Sequence, residues 1–144
     1  MKKFYYNSPI GTIEITSENN NIISIIFTDK KISSSDNSNV TKQFDEYFKG
    51  KRKNFDLKIK PKGTEFRQKV WRELTKIPYG QTKTYKEIAE AIGCKNAQRA
   101  VGQACNKNPL AIVIPCHRIL SKSNSLTGYA FGIDKKEYLL NLEK

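Results

Sequence analysis

The apolar residues of this chain change their period at Pro61–Gly63, and that change limits the fold more than any other feature. Up to Lys60 they sit in short β-rich runs, Phe4 to Tyr6, Gly11 to Thr16 and Ile22 to Thr28. The runs are separated by the turn formers Asn7-Ser8-Pro9 and Glu18-Asn19-Asn20-Asn21. Ile13 and Ile15 alternate with Thr12, Glu14 and Thr16, which predicts a sheet with one face in water. After a polar loop from Ser33 to Asn39, Val40, Phe44, Tyr47 and Phe48 fall on one face of a helix over Val40–Lys49, stopped by Gly50.

From Thr64 onward the period is helical. Thr64 caps a helix with the stripe Phe66, Val70, Trp71 and Leu74, and Pro78-Tyr79-Gly80 ends it. A short helix from Tyr85 to Ile92 turns Ile88, Ala89 and Ile92 inward. Gly93 to Asn96 forms a turn, and Asn96 caps a second helix with Ala97, Ala100, Val101 and Ala104 on one side. Two short helices joined by a Gly-containing turn make a helix-turn-helix. The apolar run Leu110 to Ile114 follows, then Pro115-Cys116-His117-Arg118, a Gly-rich loop Gly128 to Gly132, and a last helix from Asp134 to Leu142. The pattern predicts an α+β protein. A small N-terminal β-sheet/helix domain spans 1–62, and a mainly helical domain with the helix-turn-helix spans 63–144.

Charge narrows the partners. The chain carries 26 Lys+Arg against 14 Asp+Glu, a net charge of +12. Up to Lys60 there are 11 basic and 7 acidic residues, +4, so the remaining +8 lies C-terminal to it. That balance favours a polyanion, nucleic acid ahead of membrane, with a merely Lys-rich composition as the other reading. No run approaches the roughly 18 apolar residues of a membrane span, and Phe4 to Ser17 lacks the apolar block of a signal peptide. A cytoplasmic protein is expected, or a nuclear one in a eukaryotic host. The three cysteines, Cys94, Cys105 and Cys116, suit a reducing compartment; with one histidine and no Cys-x-x-Cys, no metal site is expected.

A nucleophilic cysteine needs help, since an ordinary thiol is only a few per cent ionised at neutral pH. The chain's only histidine directly follows Cys116, and Arg118 adds a positive charge beside it. Pro115 biases Ile114 towards an extended backbone, so the apolar run should end abruptly and present the sulfur where a substrate reaches it. On a regular strand Cys116 and His117 would point to opposite faces. Either the backbone turns there or a water relays the proton. The competing reading makes Cys116 a small buried hydrophobe, as Cys94 and Cys105 are expected to be.

Ile114-Pro115-Cys116-His117-Arg118-Ile119 resembles the active-site signature of O6-alkylguanine-DNA alkyltransferases, also called methylated-DNA–protein-cysteine methyltransferases. Gly63-Thr64-Glu65-Phe66, Val70-Trp71, Ile77-Pro78-Tyr79-Gly80, Thr84-Tyr85, Arg99-Ala100-Val101-Gly102, Asn108-Pro109, Gly128-Tyr129, Lys136, Leu139-Leu140 and Glu143 fit in order. The first 60 residues fit only in layout. The resemblance implies that Cys116 accepts the alkyl group irreversibly, in a single turnover without cofactor. It makes His117 the base, acting through a water and oriented by Glu143, with Asn108 holding the turn that carries the active-site segment. Tyr85 would crowd a phosphate and help rotate the nucleotide outward, and Arg99 would fill the vacated stack. Lys95, Ala97, Gln98, Ala100 and Gly102 would meet duplex DNA in the minor groove; the alternative for Ala97 and Ala100 is tight packing on Ile88 and Ile92, an equal one for Ala100. Ile114, Tyr129, Ala130 and Phe131 would line the pocket, and Lys136 would support the loop or the leaving group. The partner would be double-stranded DNA holding a flipped O6-alkylguanine, met by a monomer away from any membrane. Phe131 and Ala130 depart from the family, which commonly has Gly and a hydroxyl there, so a narrow mouth favouring methyl over benzyl is expected. Two other readings stand beside this one: a non-enzymatic alkyltransferase-like binder of damaged DNA, and a thiol hydrolase using Cys116 and His117.

Overall fold

The structure, a computed structural model, describes residues 1–121 and 128–144. Two compact units divide the chain at Pro61, and the short segment Pro109–Ala111 belongs with the first of them.

In the first unit β1 (Lys2–Ser8), β2 (Gly11–Glu18) and β3 (Asn21–Thr28) form an antiparallel sheet in the order β1-β2-β3. The β2–β3 hairpin closes over Asn19 and Asn20 with φ of 52° and 66°. Asparagine tolerates that left-handed region, and two such residues match the twist of the strands. Tyr6, Ile13, Ile15 and Ile25 are buried on the inner face. Thr12 and Thr16 on the opposite face are buried too, so the expected clean division between core and water does not hold. That face is partly roofed by polar contacts: Tyr5 Oη donates to Glu14 Oε2 at 3.0 Å, and Lys30 Nζ donates to Tyr5 Oη at 3.3 Å.

The outer edge of β3 is covered by two short stretches. Ile22 N donates to Lys58 O and Lys60 N to Ile22 O, while Ile25 N donates to Pro109 O and Ala111 N to Ile25 O. An uncovered edge would leave these groups unpaired. This pairing explains why Pro109–Ala111 joins the first unit, a membership that hydrophobic period alone does not reveal. Helix α1 (Asn39–Phe48) is opened by reciprocal hydrogen bonds between Ser38 and Thr41, which set its start one residue ahead of the expected one. Its apolar face, Val40, Phe44, Tyr47 and Phe48, is buried, and Phe55 packs on Phe44 and Tyr47.

The second unit holds α2 (Glu65–Thr75), β4 (Lys83–Thr84), α3 (Tyr85–Ala91), α4 (Gln98–Asn106), β5 (Ile119–Leu120) and α5 (Ile133–Leu142). Thr64 caps α2, accepting from Arg67 N. Trp71, 2% exposed, donates its indole N–H to Ala104 O at 2.9 Å and so pins α2 to α4. The helix-turn-helix is formed by α3 and α4. Thr84 and Glu87 make a capping box for α3. Asn96, expected to cap α4, instead takes φ 71° in the turn, and Ala97 occupies the cap position with no side-chain bond. Val101, Ala104 and Cys105 are the buried residues of α4, whereas Ala97, Ala100 and Ile92 are only half-buried. Beyond Leu110 the apolar run is a buried turn. Ile112 holds φ 71°, a costly conformation for a β-branched residue. Among the described residues no helix is long and apolar enough to cross a membrane.

Gly63 lies so close to the Trp71 ring that a methyl group there would overlap Cη2 and Cζ3. Gly63→Ala is expected to destabilise the protein by about 1–3 kcal/mol, since the buried indole has little room to yield. The midpoint of urea unfolding checks this, and an unchanged midpoint would contradict it.

Candidate active site

The site begins where α4 ends. Asn108 follows the helix and precedes Pro109, which cannot continue it. Its buried side chain turns back over the chain: Nδ2 donates to Ile114 O at 2.8 Å and to Cys116 Sγ at 3.2 Å. Pro115, at φ −81° and ψ 64°, closes an inverse γ-turn in which Cys116 N also donates to Ile114 O, at 2.8 Å. A single 3₁₀ turn over Cys116–Arg118 comes next, with Arg118 N donating to Pro115 O. Of the two backbones considered for this segment, the turn is the one adopted. Successive residues in such a turn point about 120° apart, so Cys116, His117 and Arg118 serve three different directions.

His117 is fully buried, and its Nε2 lies 2.8 Å from Glu143 Oε2. Glu143 stands at the C-terminal cap of α5 and is 3% exposed. Arg118 grips the same carboxylate with both arms, Nε to Oε1 at 2.8 Å and Nη2 to Oε2 at 2.9 Å. Its Nη1 donates to Ile77 O at 2.7 Å, and its guanidinium lies 5.8 Å from the Tyr79 ring centre. Tyr79 Oη in turn donates to Leu142 O. Sequence reasoning read Arg118 as a charge serving the thiol and did not find its partners. A pairing across 25 residues has no local signature, and only the buried position after His117 hints at it.

The environment of the sulfur also corrects the expectation of an open cleft. Cys116 is 5% exposed, and burial pushes its thiol above the ordinary range. The Asn108 amide and, more weakly, the Lys136 charge and a backbone hydrogen bond pull the other way. Lys136 is itself buried, which lowers its pKa, while the two sulfurs of Cys116 and Cys105 oppose that shift. Burial also lowers His117, against the hydrogen bond and charge of Glu143. The resting site therefore holds a neutral thiol and a neutral imidazole. Two buried polar atoms, His117 Nδ1 and Tyr129 Oη, have no hydrogen-bond partner among the described residues.

The structure thus gathers Cys116, His117, Glu143, Asn108, Ile114 and Lys136. Tyr129, also buried, lies within electrostatic reach of Cys116. Phe131 is half-buried with its ring edge-on to Tyr129 at 5.7 Å, and Ala130 is exposed. Tyr85, Lys95, Ala97, Gln98, Arg99, Ala100 and Gly102 lie instead on the helix-turn-helix. Lys95 and Arg99 are exposed there, and Tyr85 is half-buried with its ring against Gly102, 3.7 Å from where a Cβ would stand. A methyl group at 102 would stand in ordinary contact with that ring.

Because the pKa of His117 in the folded protein lies below its ordinary 6.5, the unfolded chain takes up this proton more readily. The stability this group contributes is present above that value and is lost as pH falls below it. The ring resonances of this only histidine are expected to titrate at a pH below the ordinary 6.5. Proton NMR checks this, and titration near the ordinary value would contradict a sealed imidazole.

Comparison with known proteins places this geometry. The family described as 6-O-methylguanine DNA methyltransferase, ribonuclease-like domain, matches residues 1–61, and its DNA binding domain matches residues 65–144. A methylated-DNA–protein-cysteine methyltransferase of Methanosarcina acetivorans is 45% identical over 96% of this chain and 95% of its own. Another, of Methanosarcina barkeri, is 56% identical over 72% of this chain, a stretch covering 65% of that protein. The crystal structure of Mycobacterium tuberculosis OGT in complex with DNA is 38% identical and superposes with a TM-score of 0.89 over 97% of this chain and 91% of that one. The domain matches, the likeness along the whole length and the Cys116 constellation agree, and the chain belongs to the 6-O-methylguanine DNA methyltransferase family.

Proposed function

We propose that this protein repairs alkylated DNA by direct reversal, moving the alkyl group of O6-alkylguanine, chiefly methyl, onto Cys116. The observation that carries the proposal is the pairing of a buried sulfur held by Asn108 with an adjacent His117–Glu143 couple. In the step, Cys116 Sγ forms a bond to the alkyl carbon while the carbon–O6 bond breaks and the guanine leaves with that electron pair. The thiol proton passes to His117, whose Nδ1 is the ring nitrogen with no partner among the described residues, directly or through one water. Ionisation is thereby confined to the moment of attack, which suits a thiol that burial keeps neutral. Lys136 provides a buried positive charge that favours the ionised sulfur, and it is suited to steadying the leaving guanine. Among the described residues no group near the product thioether is suited to cleave it, so each molecule acts once; the reading takes the protein as a monomer and calls on no cofactor.

An alkyl group on a stacked base cannot reach a buried sulfur, so the nucleotide must be rotated out, at a cost of a few kcal/mol. In this reading the exposed Arg99 of α4 enters the gap, and Tyr85 and Lys95 meet the backbone, with DNA approached through its minor groove. Phe131 lies edge-on to Tyr129, which is within electrostatic reach of Cys116, and this supports a mouth that favours a methyl group over a bulky one. The three cysteines remain free, in keeping with a reducing, cytoplasmic setting.

Duplex DNA carrying a labelled O6-methylguanine tests the reading. The wild type is expected to take up one methyl group per molecule on Cys116 and restore guanine, while Cys116→Ser binds the DNA and takes up none. Binding without transfer by the wild type would point to a damage-sensing protein, and repeated turnover would point to a hydrolase.

A further inference from the structure

We propose that Arg118 is a positioning residue of this site: by holding Glu143 as a carboxylate in one orientation, it keeps the His117 proton on Nε2 and leaves Nδ1 as the base. The link to catalysis rests on the alkyltransferase reading, whereas the tautomer is a property of the protein alone.

Donors and acceptors at Glu143 decide the tautomer of His117. An ionised carboxylate only accepts hydrogen bonds, and a guanidinium only donates them. Glu143 Oε1 takes Arg118 Nε, and Oε2 takes both Arg118 Nη2 and His117 Nε2. Facing a carboxylate, Nε2 must carry the hydrogen. Facing a protonated carboxyl group, it could accept instead, and the ring proton would move to Nδ1. Burial at 3% exposure favours the protonated form. The two-armed contact with an always-charged guanidinium opposes it.

The guanidinium is itself fixed from behind. Ile77 O accepts its third bond, and the Tyr79 ring lies beside it. The loop that supplies both runs directly against α5, since a Cβ at Gly80 would stand 2.9 Å from Glu143 O. The charged groups acting on the imidazole are Glu143, Arg118 and Lys136, with Cys116 preceding it in the chain. Asn108, Lys136 and a backbone hydrogen bond favour ionised Cys116, while Arg118 is joined to the imidazole through Glu143.

The test follows the single imidazole by nitrogen-15 NMR in the wild type, Arg118→Lys and Arg118→Met, alongside single-turnover methyl transfer across pH. The wild type is expected to carry Nε2–H. Arg118→Met is expected to lose that fixed tautomer, to transfer about a hundredfold more slowly, and to show a shifted pH profile as Glu143 gains a proton. Arg118→Lys keeps a charge without the fork and is expected to fall between the two in both readouts. The proposal is overturned if the wild type carries Nδ1–H, or if a folded variant loses rate with its tautomer intact. Should Arg118→Met fail to fold, Arg118→Lys and the wild-type tautomer decide in its place. A wild type that transfers no methyl group defeats the repair reading instead, and the tautomer still decides this one.

Discussion

The buried carboxylate of Glu143 organises the catalytic unit. Removing such a charge from water costs several kcal/mol unless it is closely paired, and here the fork of Arg118 and the ring of His117 occupy both oxygens. Three separate pieces of chain meet on it: the 3₁₀ turn Cys116–Arg118, the end of α5 and the Ile77–Gly80 loop. Loss of one partner would leave a buried charge uncompensated. The pairing therefore fixes positions more than it adds stability.

Around that anchor, the sulfur is kept neutral and covered. A permanently ionised thiol would be open to oxidation and to stray electrophiles. That exposure would be wasteful in a protein that acts once. Burial instead holds Cys116 as a thiol, while Asn108 and Lys136 lean the other way and shorten the step to the thiolate. His117, pulled below its ordinary range, remains an acceptor at neutral pH. On the proposed repair reading, reactivity then depends on the base, the sulfur and a rotated nucleotide being brought together, which ties chemistry to recognition of damage.

Features governed by local chemistry were legible in the sequence. Thr64 as a cap, Gly50 as a stop, the three strands and the stripe of α2 follow from neighbours a few residues apart. What the sequence left hidden depends on distant partners. Asn96 is a good cap in isolation, yet the turn draws it to φ 71°. Pro109–Ala111 reads as part of a helical half, but the open edge of β3 offers its backbone partners. Thr12 and Thr16 alternate as surface residues should, yet they are buried. At the site, Cys116, His117, Glu143 and Asn108 were named from resemblance, and the structure brings them together. Burial of the sulfur stood only as the competing reading, and the grip of Arg118 on Glu143 was not foreseen, because it arises where the 3₁₀ turn meets the end of α5 and the Ile77–Gly80 loop.

The account turns on the protonation state of one sulfur before DNA arrives. Thiolates absorb in the ultraviolet where thiols do not, so the difference spectrum between wild type and Cys116→Ser, followed with pH, reads it directly. We expect no thiolate signal from Cys116 at neutral pH, with ionisation appearing only above the ordinary thiol range. A full thiolate signal at neutral pH in the DNA-free protein would contradict a sulfur held neutral until attack.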